Sequence, residues 1–116
     1  MKTYKLNEMH KGWFVGNFSP TAFKFGHAEV GIKTYKKGQY DTSHYHKIGH
    51  ELTAIISGKV EMMGVKLFPG DIIHIEPGEI SDFKALDDTT LVVFKNTSIT
   101  NDKFLVEKND KKNKQT

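Results

Sequence analysis

The chain has 116 residues, a formal charge of +3 and no cysteine. That length suits one domain with a core of its own, and the lack of cysteine excludes disulfides, thiolate zinc sites and thiol catalysis. No apolar run approaches the ~20 residues of a membrane span, and the opening "MKTYKLNEMHKGW" lacks the apolar core of a signal peptide, so the expectation is a soluble, cytoplasmic protein that contacts no membrane.

Much of the positive charge is terminal. The stretch "EKNDKKNKQT" sets Lys108, Lys111, Lys112 and Lys114 against Glu107 and Asp110. This polar tail, 107–116, is expected to be disordered, which leaves 1–106 as a single domain close to neutral. No basic stripe interleaved with aromatics crosses that domain, so nucleic acid is not an expected partner.

Ten glycines are scattered between Gly12 and Gly78, a density that a helix interior tolerates poorly. The segments between them are rich in Val, Ile, Thr, Phe and Tyr, which suit pleated strands. In chain order, strands are predicted near 12–18 ("GWFVGNF"), 28–36, 41–46, 51–57 ("ELTAIIS"), 59–63, 65–68, 71–76 ("DIIHIE"), 81–85 and 89–95 ("TTLVVFK"), with a last one near 103–106. The run "VEMMGVKLF" reads as a hairpin turning at Met63-Gly64, and "FPGD" and "EPGE" read as tight turns. Short strands with turn signals at this spacing predict an all-β sandwich or barrel. Trp13, Phe14 and Phe18 are expected in the core or in a dimer interface.

Three of the six histidines fall in "HYHKIGHE", residues 44–51. Alternate residues of a strand share a face, so His44 and His46 point the same way, about 6.7 Å apart. Glu51 opens the next strand and shares its face with Thr53 and Ile55, while His50 has the opposite parity and belongs to the turn or the outer face. Two imidazoles and a carboxylate form a ligand set for Fe(II), Mn or Zn; the alternative is a solvated strand face that happens to carry histidine. In "DIIHIE", Glu76 would be accompanied into the interior by His74 and Ile72 if it faces that way, making His74 and Glu76 candidate proton carriers. The alternatives are a partly buried histidine bonded to a carbonyl and a solvated strand end.

The run "GQYDTSHYHKIGHELTAIISG" resembles the first signature motif of the cupin superfamily: Gly38, five residues, His44-Tyr45-His46, four residues, Glu51, six residues, Gly58. "GDIIHIEPGEISDFKAL" resembles the second motif in part, keeping Gly70 and Gly78. Glu76 stands in the proline position, Ser81 in the histidine position and Ala85 in the asparagine position. The resemblance implies a double-stranded β-helix (jelly-roll barrel). It also implies His44, His46 and Glu51 as three of four ligands to a divalent metal (Fe, Mn, Zn or Ni), with Ser81 in place of the fourth. Asp82, by parity, points away from the site.

Two functions follow from that resemblance. One is a metal-dependent enzyme on a small, sugar-like molecule: an isomerase, epimerase or dioxygenase. The other is a non-catalytic small-ligand-binding barrel with a decayed or metal-free site. Single-domain members of the superfamily are commonly homodimers, and "GWFVGNF" offers a strand edge for pairing. All seventeen basic residues are lysine, so bidentate arginine recognition of an anion is excluded, which favours a neutral or hydroxylated ligand.

Overall fold

The computed structural model describes residues 1–98 and 101–106. Among the described residues the chain forms eleven strands: β1 (Trp13–Gly16), β2 (Phe23–Lys24), β3 (Glu29–Tyr35), β4 (Tyr40–Tyr45), β5 (His50–Ser57), β6 (Val60–Met62), β7 (Val65–Leu67), β8 (Ile72–Ile75), β9 (Ser81–Ala85), β10 (Thr89–Asn96) and β11 (Phe104–Leu105). Two short 3-10 turns precede β1. No helix among the described residues is long and apolar enough to cross a membrane.

The strands build two sheets, in the order β2-β1-β3-β10-β5-β8 and β11-β4-β9-β6-β7. Apart from the parallel β1–β2 pair, all pairings are antiparallel. The fold is all-β, as the glycine spacing and strand composition predict, and the predicted hairpin is β6–β7, closed at Met63-Gly64. The tail predicted at 107–116 lies outside the described residues.

Alternation of side chains explains the packing. On β5, Thr53 and Ile55 are buried while Leu52 and Ile56 are exposed. On β10, Leu91 and Val93 are buried and Phe94 is exposed. Opposite residues of an antiparallel pair share a face, so the register Leu91↔Ile55 and Val93↔Thr53 carries one inner face across both strands. The second sheet answers with Val60, Met62, Phe83 and Ala85, and Ile75 and Leu67 complete the cluster. Trp13, Tyr35 and Ile73 pack against it. Trp13 lies flat on β3 because Gly31 has no side chain: a Cβ there would sit 2.8 Å from the indole Cε3.

The expectation that β1 supplies a free edge is corrected. It is flanked by β3 and by β2, a two-residue strand too short for sequence patterning to detect. The inward facing of His74, Glu76 and Ile72 is also corrected. Ile75 lies opposite Glu51, whose face is the interior, so Ile73 and Ile75 point in. Ile72, His74 and Glu76 are exposed. Isoleucines at 72, 73 and 75 satisfy either parity as a pattern, and only the pairing partner resolves it.

Leu91 is 2% exposed at the centre of the core. Leu91→Ala is expected to lower unfolding stability by about 2–5 kcal/mol, read from the denaturant midpoint at unchanged slope.

Candidate functional site

His44, His46 and Glu51 line one cavity of about 910 Å³ between the two sheets. Its lining includes Met62, Phe83, Leu91 and Val93 from the apolar core, together with Trp13, Tyr35, Ser81, Lys33 and Lys95. The local sequence explains the histidines' placement. The β4–β9 register shifts between Asp41↔Phe83 and His44↔Ser81, a bulge that lets Asp41 and His44 both face partners on the inner side despite their odd separation. His44 and His46 are 7% and 3% exposed. Their rings meet edge to face, with centroids 5.5 Å apart.

Each imidazole is oriented by a backbone carbonyl. His44 Nδ1 donates to the Thr42 carbonyl at 3.0 Å, and His46 Nδ1 donates to the Asp102 carbonyl at 2.6 Å. With the proton on Nδ1, the Nε2 lone pair of each ring is available to a ligand. The Nε2 of His46 is buried and has no hydrogen-bond partner among the described residues; Glu51 Oε1 lies 3.9 Å from it. An orphaned buried nitrogen is costly, and a cation there would satisfy it. The donors therefore fit a divalent metal in chemistry. Among the described residues, no three His, Cys, Asp or Glu groups are drawn together as a closed metal cluster. Adjacent ligands of such a cluster sit about 3 Å apart, closer than the His46–Glu51 separation.

Sequence reasoning missed two parts of this site. The first is Asp102, 8% exposed. Its carboxylate accepts from the backbone amides of Lys47 (2.9 Å), Ile48 (3.3 Å to either oxygen) and Gly49 (2.8 Å) while its carbonyl holds His46. A Cβ on Gly49 would stand 3.2 Å from Asp102 Oδ2, which explains a glycine in the loop between the histidine pair and Glu51. Burial alone would push the Asp102 carboxyl up; the three amides outweigh it, with help from the His46 charge, and hold it below its ordinary 3.8. A lone aspartate in "TNDKF" carries no local signal of this role. The second is an inward charge row, Glu29, Lys95 and Glu51, aligned across β3, β10 and β5 by register. Lys95 Nζ lies 3.9 Å from Glu29 Oε1.

The remaining candidates resolve as follows. Ser81 is buried opposite His44, at the place where the resemblance expects a fourth ligand. Asp82 is engaged elsewhere, accepting from the Met63 amide at 2.6 Å. His74 and Glu76 are on the outside of the sheet, and the ring nitrogen of His74 meets His50, not the cavity. Burial pushes the Tyr35 phenol up to about 12, which keeps it a neutral hydrogen-bond donor at the cavity wall.

With this geometry established, comparison with known proteins gives the class. No family model matches the chain, and no curated protein does. Solved structures do. An uncharacterized conserved protein with a double-stranded β-helix domain from Klebsiella pneumoniae is 24% identical, with TM-score 0.64 over 72% of this chain and 73% of that one. A sugar phosphate isomerase from a cupin superfamily, from Silicibacter pomeroyi, is 18% identical, with TM-score 0.57 over 60% of this chain and 50% of that one. Oxalate decarboxylase from Bacillus subtilis, described with Mn(II) centres, is 17% identical, with TM-score 0.61 over 70% of this chain and 24% of that one. These likenesses establish the fold: a cupin-type double-stranded β-helix.

Asp102→Ala is expected to cost about 1–3 kcal/mol by stranding loop amides, measured by denaturant melts. The pH dependence has a defined sign. Burial, with the Lys95 charge, holds His46 below its ordinary 6.5, so the unfolded chain binds that proton more readily. Stability is full above 6.5 and is lost as pH falls through the folded value; Asp102 adds a second loss below 3.8. Thermal midpoints are expected to drop on acidification through the imidazole range, and less so in His46→Gln.

Proposed function

We propose that this chain binds a divalent metal through His44, His46 and Glu51 and a small, sugar-like molecule in the cavity above them. The observation that carries the reading is the buried Nε2 of His46, without a hydrogen-bond partner among the described residues and 3.9 Å from the Glu51 carboxylate in the cavity lining. His44 and His46 are locked by Thr42 and Asp102 in the tautomer that ligation requires. When bound, a metal would act as a Lewis acid toward a ligand carbonyl or hydroxyl oxygen. Iron, manganese, zinc and nickel all accept this donor set. The Mn(II) centres of the decarboxylase of the same fold support the metal, and the sugar phosphate isomerase supports the ligand class.

The chain's own residues specify the rest of the ligand. Trp13 adds an aromatic side chain to the cavity lining. Lys95 is paired with Glu29, and Lys103 with Asp41 at 3.4 Å. Lys33 has no carboxylate partner among the described residues: it donates to the Lys11 carbonyl at 2.7 Å and lies 5.2 Å from the Trp13 ring centroid. Burial and the neighbouring Lys11 charge push its ammonium below the ordinary 10.5. An acidic group on the ligand would relieve that repulsion, so, against the neutral ligand expected from the absence of arginine, a hydroxylated molecule bearing a carboxylate or phosphate fits better. In an isomerase or epimerase, Lys33 is the cavity group placed to move a proton.

A second reading, a ligand-binding barrel without turnover, is favoured by Ser81 at the fourth ligand position and by the outward placement of His74 and Glu76. Elemental analysis of tag-free protein purified without chelator tests the metal. One equivalent is expected, lost in His46→Ala. Restoring the ion at 100-fold its Kd is expected to raise stability by about 2.7 kcal/mol. Metal-free protein whose melting ignores added divalent ions would reject the reading.

A further inference from the structure

A second pair of imidazoles stands on the outer face of the other sheet, the one that carries Glu51. His50, at the start of β5, and His74, on the edge strand β8, bring Nδ1 and Nε2 to 3.0 Å with ring planes tilted 32°. Neither group takes part in the cavity. Both are placed by regular ladders: His74 lies opposite Leu52 on β5. His50 lies opposite Asn96 on β10, whose side-chain oxygen accepts the His50 amide at 2.9 Å. The two nitrogens face each other on an open surface, where His74 is exposed and His50 half-buried.

We propose that His50 and His74 form a surface chelate for a divalent transition-metal ion, separate from the interior site. The argument is geometric. Two imidazole nitrogens, each about 2.1 Å from one ion, lie about 3.0 Å apart at a right angle and about 3.4 Å apart at a tetrahedral angle. The observed 3.0 Å, also an ordinary hydrogen-bond length, lies close to the right-angle value, the angle that Cu(II) and Ni(II) prefer. As a hydrogen bond, the contact holds one proton between the rings. As a chelate, each neutral ring would carry its proton on the nitrogen facing solvent and turn slightly, so that both lone pairs converge on an ion beside the line joining the two nitrogens. Water completes the shell, because the site opens to solvent. The two strands hold the nitrogens in register before the ion arrives, so little ordering is lost on binding.

The test uses the full-length, tag-free, metal-stripped protein in the His46→Gln background, which removes the interior site's buried nitrogen and separates the two readings. Cu(II) titration followed by EPR is expected to show one equivalent with two-nitrogen coordination, together with selective broadening of the His50 and His74 ring signals in NMR. His74→Gln added to that background is expected to weaken this equivalent by about tenfold or more; His50→Gln does the same, and His27→Gln leaves it intact. Ni(II) is expected to compete better than Zn(II). The exposed position of His74 lets its variant stay folded, which circular dichroism checks. Absence of the two-nitrogen equivalent in His46→Gln protein, or its survival unchanged in His74→Gln, overturns the proposal, whatever the interior site binds.

Discussion

The carboxylate of Asp102 sits on the three consecutive amides of Lys47, Ile48 and Gly49, and its carbonyl holds the ring of His46. The loop between β4 and β5 has no ladder of its own, so its amides need an acceptor once they leave water. A single aspartate supplies it, reaching across more than fifty residues of sequence. The clamp also draws the chain after β10 back onto β4: Phe104 pairs with Tyr45 in register and stacks on its ring at 5.4 Å, and Lys47 lies over the same phenyl ring at 4.4 Å. The position of His46 relative to Glu51 depends on that loop. The most polar part of the interior is thereby built by the segment that closes the barrel.

Around this clamp the cavity is graded. Part of its lining belongs to the apolar core, and part is the row Glu29, Lys95 and Glu51. A half-buried row of alternating sign avoids the penalty of an isolated charge. Lys95 also acts on His46, disfavouring its protonated form as burial does. A neutral imidazole with Nδ1 on a carbonyl is the state a metal ligand needs, and it is reached here from the chain's own packing.

The two histidine pairs, one from each sheet, show how one barrel can prepare two different chemistries. Inside, His44 and His46 meet edge to face, each anchored through Nδ1 to backbone, and they present nitrogens to a cavity. Outside, His50 and His74 turn nitrogen to nitrogen with no carbonyl between them. Strand parity separates the sets: Glu51 and Ile75 face in together, and the residues on either side of each face out.

The glycine spacing, the strand composition and the span from Gly38 to Gly58 carried the all-β fold and brought His44, His46 and Glu51 to one wall, because those features depend on local parity and turn chemistry. Ser81 at the fourth position was legible for the same reason. The sequence could not tell which face of "DIIHIE" turns inward, since isoleucine occurs at both parities and only the Glu51↔Ile75 register decides. Nor could it reveal Asp102, the alignment of Lys95 between Glu29 and Glu51, or Lys33 in the cavity lining without a carboxylate partner among the described residues. The identity of the residues thus determined the strand pattern and the donor set. Tertiary structure alone decided which donors are oriented, neutral and buried, because those properties arise from hydrogen bonds and desolvation between segments far apart in the chain.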